Sequence, residues 1–136
     1  MKLIIGSHVS YNNKSQLLGS VKEALKYNAN TFMFYTGAPQ NTNRGIILDE
    51  LTIEAYKLMK ENNIALEKVI VHAPYIVNLA NFNNFDFSVS FLINEVERCS
   101  TLGIKYLVLH PGSAVNCSRE EAINNISKGL NLILDN

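Results

Sequence analysis

Cysteine is scarce in this sequence, and a long hydrophobic run is missing. The 136 residues include two cysteines, Cys99 and Cys117, which do not form a C-x-x-C pair of the kind that binds metals. No apolar stretch approaches the ~20 residues that cross a bilayer, and the start, MKLIIGSHVS, lacks the pattern of a signal peptide. We therefore expect a cytoplasmic protein with reduced thiols and no membrane partner.

An excess of charge of either sign is also missing. Lysine plus arginine and aspartate plus glutamate number 12 each, so the formal net charge at pH 7 is +0. Proteins that bind nucleic acid through their overall charge are usually strongly basic. The composition therefore gives no support for such a partner, although a locally basic groove on a neutral protein stays compatible with one.

Short β-rich runs alternate with longer helical patterns along the whole chain. The strands are predicted at residues 3–6, 31–35, 69–71 and 106–109. The helices are predicted at residues 17–27, 49–62, 87–102 and, after a capping box of Ser118 and Glu121, close to the end. Gly103 is expected to end the third helix. Repeated βα units of this kind give parallel strands with right-handed crossovers.

Two architectures accommodate such units, an open doubly wound sheet and a closed barrel. The turn after the first strand lacks the G-x-G-x-x-G pattern of a doubly wound nucleotide-binding sheet. A closed barrel needs eight βα units and about 250 residues, twice what is present. We therefore predict an α/β fold in which residues 1–136 form a single domain of four βα units, the N-terminal half of a TIM (β/α)8 barrel.

The fourth predicted strand ends abruptly in a histidine, a proline and a glycine. Its continuous apolar run, YLVL at residues 106–109, is typical of a strand buried on both faces. Pro111 and Gly112 then stop the ladder, because proline lacks an N–H and glycine turns freely. His110 is thus expected at the last rung of a buried strand, at the mouth of a loop.

All three histidines follow predicted strands, at the edge where sites form in parallel α/β folds. His72 and His110 share a pattern, KVIVHAPY and KYLVLHPGS, and neighbouring strands lie about 4.8 Å apart, so both imidazoles can reach one zinc ion. The alternative is that each histidine simply bonds a nearby carbonyl. His8, without such a motif, is left as a neighbour of the metal or a substrate contact.

A catalytic zinc takes about three protein ligands, and these strand ends supply two. Four glutamates fall on predicted helices and are expected on solvated faces: Glu95, Glu97, Glu120 and Glu121. Cys117 is a possible thiolate ligand but is more simply interpreted as a free thiol. The polar segments 11–16 and 36–44 are predicted loops beside the same edge. As written, the metal site is incomplete.

Four motifs, taken in order, resemble endonuclease IV, the zinc-dependent apurinic/apyrimidinic endonuclease family of DNA base-excision repair. They are IGSHVS, FYTGAPQNT, VHAPYIVNLAN and LVLHPGS. The resemblance implies a TIM barrel that cleaves the phosphodiester 5′ to an abasic site in double-stranded DNA, with three zinc ions in the complete site. It also implies that the remaining ligands of the zinc cluster lie beyond Asn136, so that this chain has at most one partial site and is inactive alone.

The same resemblance assigns roles to individual residues. His72 and His110 become two ligands of one zinc, and Tyr75 lies beside the abasic nucleotide, where it and His8 are the catalytic candidates. Gln40, Asn41 and Arg44 belong to a loop that contacts DNA, as does Tyr75.

Two other interpretations stay open at this point. One is a sugar isomerase or epimerase barrel, which also uses histidines and carboxylates with divalent metals. The other is a non-catalytic half-barrel that serves as a binding or assembly module. Four parallel strands leave two unpaired sheet edges, so we also expect self-association through the exposed barrel edges, or poor folding of the isolated chain.

Overall fold

A small parallel sheet forms the centre of the protein. The computed structural model describes residues 3–136, so Met1 and Lys2 of the predicted domain lie outside the described residues. Across the sheet the strands follow chain order: β1 (Met33–Phe34), β2 (Ile70–His72) and β3 (Tyr106–Val108). Both neighbouring pairs are parallel, which confirms the predicted α/β class.

Four α-helices accompany the strands, and each lies within two residues of its predicted bounds. None of them, within residues 3–136, has the length and apolarity to cross a membrane. The last helix begins with the predicted capping box, in which Ser118 and Glu121 bond each other's side chains and backbone N–H groups. The helices are α1 (Gln16–Lys26), α2 (Asp49–Glu61), α3 (Phe85–Thr101) and α4 (Arg119–Leu134).

The register of the sheet sorts its side chains onto two faces. Phe34, Val71 and Leu107 pair across the three strands and pack into the core under the helices. Because successive side chains of a strand alternate, the neighbours of these residues point the other way. We call that second side the open face; its side chains are Met33, Ile70, His72, Tyr106 and Val108.

The prediction that residues 106–109 are buried on both faces is wrong. Tyr106 is 57% exposed and Val108 is 43% exposed, while Leu107 between them is half-buried. Both exposed residues belong to the open face, and β3 is the edge of the sheet among the described residues. The exposed side chains are thus those of a strand that pairs on one side only among residues 3–136.

The first predicted strand, residues 3–6, does not form a ladder. The side-chain amide of Asn30 binds backbone groups of this segment instead: its Oδ1 accepts from the Ile5 N–H at 2.7 Å, and its Nδ2 donates to the Leu3 carbonyl at 2.9 Å. Pairing starts later, with one parallel bridge between His8 and Met33. Residues 3–6 still run alongside β1, on the side of the sheet opposite β3, and Leu3 there is 70% exposed.

Three helices end in the same way, with one residue in the left-handed region. Asn28, Asn63 and Gly103 have φ of 53°, 57° and 61° and follow α1, α2 and α3. In each case the next residue donates its N–H five positions back, as Ile64 does to the Met59 carbonyl at 2.9 Å, which is the Schellman arrangement. Gly103 as the end of α3 is thus confirmed.

Asn63, the left-handed residue after α2, should tolerate replacement by glycine better than replacement by alanine. Asn63→Ala is expected to lower the free energy of unfolding by about 1 kcal/mol, because a Cβ without a polar tip is penalised at this φ. Asn63→Gly should leave it unchanged or raise it. Urea unfolding of both variants checks this, and equal stabilities would contradict the assignment.

Candidate functional site

His72 and His110 lie at or just past the carboxyl ends of β2 and β3, and His8 lies beside the start of β1. His8 forms the bridge to Met33, and His72 is the last residue of β2. His72 pairs with Val108, and His110 lies two residues past this pairing, so continued alternation of side chains predicts the same face for it. In backbone terms this offset is about 6.6 Å along the strand and about 4.8 Å across it.

His72 has a defined ring orientation. Its Nδ1 lies 2.6 Å from the carbonyl oxygen of Ala73, so this nitrogen carries the proton and donates it. The lone pair of the neutral imidazole then resides on Nε2, the nitrogen that is left for a ligand. A backbone carbonyl holding the other ring nitrogen is typical of metal-binding histidines. His110 is exposed at the loop mouth.

Tyr35 joins the histidines of this edge, and sequence reasoning missed it. Its ring centroid lies 4.6 Å from that of His8 and 5.4 Å from that of His72. Desolvation by burial, and then electrostatic repulsion from the His72 imidazole in its protonated form, lowers the pKa of His8. His8 and His72 are therefore close enough to interact, with the Tyr35 ring in contact with both.

Asn78 clamps together the two loops that follow β2 and β3. Its Nδ2 donates to the Ser113 carbonyl at 3.0 Å, and its Oδ1 accepts from the Ser113 N–H at 3.1 Å and from the Ala80 N–H at 3.0 Å. Gly112 has a φ of 122°, and a Cβ there would lie 2.0 Å from Asn78 Oδ1. The HPGS turn after His110 is thus shaped around this one amide.

The residues of this edge fit a zinc ion only in part. His72 presents a free Nε2, and alternation past Val108 predicts the same face for His110, which would suit two imidazole ligands. Among residues 3–136, however, no three histidine, cysteine, aspartate or glutamate side chains come together as a metal site. Cys117 directs its sulfur to the Ala80 carbonyl, 4.0 Å away. Burial, and then the charge of Glu95, raises the pKa of Cys99 to about 12.

Three of the residues expected to meet DNA lie at the surface. Tyr75 is 58% exposed, and Gln40 and Asn41 are exposed in the loop after β1. Asn41 Oδ1 accepts from the Asn43 N–H at 3.0 Å, which gives this part of the loop an Asx turn. These positions are accessible to a ligand, and their role toward DNA stays a prediction.

Arg44 and Glu95 are placed differently from what the sequence suggests. The expectation that Glu95 lies on a solvated helix face is wrong, because its side chain is 0% exposed and accepts from Arg44 Nε at 2.6 Å. The Arg44 side chain is 4% exposed, so its guanidinium lies inside the protein rather than on the surface predicted to contact DNA. Glu97, Glu120 and Glu121 are exposed, as expected.

The Asn78 clamp generates a local prediction. Asn78→Ala removes three hydrogen bonds and leaves backbone groups of Ser113 without their partners, so it should cost about 1–3 kcal/mol of stability. Amide exchange should accelerate at Ser113 and Ala80, as measured by NMR. Asn83→Ala, at an exposed position just before α3, is the control and should change neither. An unaltered Ser113 amide in Asn78→Ala would contradict the clamp.

Known proteins resemble this chain over almost its whole length. A "probable endonuclease 4" of Acholeplasma laidlawii is 56% identical over 136 residues, covering 98% of this chain and 46% of that protein. The protein of the same name in Bacillus subtilis is 50% identical over 137 residues, covering 98% of this chain and 45% of its own length. The chain thus spans about half the length of the curated relatives it matches.

Structural and family comparisons agree with these similarities. The crystal structure of endonuclease IV from Thermus thermophilus superposes with a TM-score of 0.74 at 26% identity, over 95% of this chain and 47% of that one. The model of the xylose isomerase-like TIM barrel family matches residues 21–136. The chain therefore belongs to the xylose isomerase-like TIM barrel family, with endonuclease IV proteins among its relatives.

Proposed function

We propose that this chain supplies part of the active site of a zinc-dependent DNA-repair endonuclease, which hydrolyses the phosphodiester 5′ to abasic sites. The names and the level of identity of its relatives support this class of enzyme. The family's description also covers sugar isomerase barrels, but the relatives named above are endonucleases. Since the chain spans about half of their length, we propose no complete activity for it alone.

The observation that carries the proposal is the placement of His72 and His110. His72 ends β2 opposite Val108, and side-chain alternation continued past β3 would turn His110 to the same open face; the hydrogen bond to the Ala73 carbonyl leaves Nε2 of His72 for a ligand. A carbonyl bond alone would also satisfy a strand end, so the proposal depends on the second histidine that follows the neighbouring strand. The pair matches two of the roughly three protein ligands of a catalytic zinc.

The chemistry divides between the metal and the protein. Bound zinc would polarise the phosphodiester and lower the pKa of a water molecule. The chain's own residues would hold the geometry: Ala73 orients His72, and Asn78 fixes the turn that follows His110. His8 has a lowered pKa, which favours its neutral imidazole near pH 7, so it suits hydrogen bonding to substrate better than charge pairing.

DNA recognition would come from the surface around this edge. An abasic nucleotide has no base to read, so specificity must arise from phosphate contacts and from the ease with which the duplex deforms. Tyr75 presents an exposed aromatic ring one loop away from His110, and Gln40 and Asn41 present amides from the loop after β1. We propose these three side chains, without Arg44, as the DNA-facing group.

Zinc binding tests the histidine pair directly. The chain is expected to bind zinc, and His72→Ala and His110→Ala should each weaken the affinity by about 100-fold or more, since each removes one of two protein ligands. His8→Ala is the matched control, because it removes the third histidine without removing a proposed ligand, so it should weaken zinc binding less than either of the other two changes. Competition with a chromophoric chelator measures all four proteins. Equal zinc affinity in all of them would refute the pair.

We further propose that isolated copies associate through their exposed sheet edges. One edge carries Leu3, Ile4 and Ile5, which are 70%, 52% and 60% exposed, and the other carries Tyr106 and Val108. Unpaired strand edges with apolar side chains readily pair with another chain. With a DNA substrate and reduced thiols, we also propose a cytoplasmic location.

Sedimentation velocity tests the association. The sedimentation coefficient should rise with protein concentration, and the double change Tyr106→Lys with Val108→Lys should abolish that rise, because charges on an edge strand oppose pairing. Ile53→Lys, at an exposed apolar position on α2, is the control and should leave association intact. A monomer at every concentration, with a cooperative thermal transition, would contradict it.

A further inference from the structure

We propose that Glu95 and Arg98 are positioning residues, which hold the loop of residues 36–45 in the conformation that meets DNA. The inference rests on the proposed function, because the exposed side chains of that loop include Gln40 and Asn41. Neither residue contacts the DNA-facing surface, since Glu95 is 0% exposed and Arg98 is 8% exposed. They act through the backbone and through two residues at the ends of the loop, Thr36 and Arg44.

The Glu95 carboxylate binds both ends of the loop at once. Its Oε2 accepts from the Thr36 hydroxyl at 2.6 Å, and its Oε1 accepts from Arg44 Nε at 2.6 Å. Charged acceptors form hydrogen bonds about twice as strong as neutral ones, and here both lie away from water. Glu95 thereby fixes the distance between Thr36, the first residue of the loop, and the side chain of Arg44 near its end.

Arg98, one turn further along α3, also binds both ends of the loop, through their backbone carbonyls. Its Nη2 donates to the Thr36 carbonyl at 2.9 Å, and its Nη1 donates to the Gly45 carbonyl at 2.8 Å. Its Nε also lies 3.2 Å from the Thr36 hydroxyl oxygen, so Glu95, Thr36 and Arg98 form one connected network. The planar guanidinium fork suits this double contact, which a lysine does not reproduce.

Arg44 shapes the interior of the loop. Its Nη1 donates to the carbonyls of Ala38, Asn41 and Asn43 at 3.2, 3.2 and 3.0 Å, and its guanidinium carbon lies 4.8 Å from the centroid of the Phe91 ring. The carbonyls therefore turn inward. This leaves the side chains of the loop's outer residues toward solvent, where Gln40 and Asn41 are exposed.

A buried network of this kind favours a unique conformation more than it favours stability. Burying charges costs several kcal/mol per ion, and a buried ion pair often contributes little to net stability over apolar side chains of similar volume. The loop contains no helix or strand that would hold it otherwise. Fixing it before binding reduces the entropy lost when DNA binds. Two arginines with one glutamate also leave one net positive charge beneath the loop, a sign that suits phosphates.

Amide exchange in the free chain tests the positioning role. Glu95→Gln removes the charge while keeping the shape, and Thr36→Val removes one hydroxyl while leaving the ion pair and the fold. Both should accelerate exchange at residues 37–45 by about tenfold to a hundredfold. Glu97→Gln, at an exposed position on the same helix, is the matched control and should have no effect. Leu48 N–H, bonded to Gln16 Oε1 at 2.9 Å, should stay protected as an internal reference.

The second part of the test measures two affinities, one for zinc and one for a DNA duplex that carries a tetrahydrofuran analogue of an abasic site. Both variants should bind this duplex about tenfold more weakly and should keep the zinc affinity of the unmodified chain, which a general loss of structure would not allow. Unchanged loop exchange in both variants overturns the proposal, and so does faster exchange with unchanged DNA affinity. If the unmodified chain does not bind the duplex, the proposed DNA contact fails first, and the positioning role fails with it.

Discussion

The parallel register between β2 and β3 is the constraint on which the site depends. It pairs His72 with Val108, and the alternation of side chains then predicts the same face for His110, just past the end of β3. With the register shifted by one residue, the same alternation would predict the helix side for His110 and the open face for Leu109. The register is in turn held by Phe34, Val71 and Leu107, which pair across the three strands and pack in the core.

Loops around the site are held by single polar side chains rather than by secondary structure. Asn78 joins the turns after β2 and β3, and Glu95 with Arg98 braces the loop after β1. Glu95 and Arg98 lie on the buried side of α3, so a rigid helix fixes the position of a loop that has no regular structure, whereas Asn78 lies in one loop and holds the next. The irregular edge that carries the candidate site is built in this way on a regular α/β frame.

Local signals in the sequence are enough to predict where the helices begin and end. Predictions of burial failed for physical reasons. The end of α3 at Gly103 and the start of α4 at Ser118 depend on neighbouring residues alone, and both are confirmed. Burial depends on tertiary packing, and there the expectations for the strand at 106–109 and for Glu95 are wrong. The spacing of α3 contains a signal for Glu95, because Leu92, Glu95, Cys99 and Leu102 form one buried stripe. No periodic pattern in the sequence signals that the Asn30 side chain binds the backbone of residues 3–5 in place of a neighbouring strand.

Placement of the two histidines on one face is the central claim, and zinc anomalous diffraction from crystals grown with zinc tests it most directly. One peak is expected, bonded to Nε2 of both His72 and His110 at about 2.0–2.1 Å, with Nδ1 of His72 still on the Ala73 carbonyl. Zinc bound to one histidine only, or through Nδ1 of His72, would contradict it.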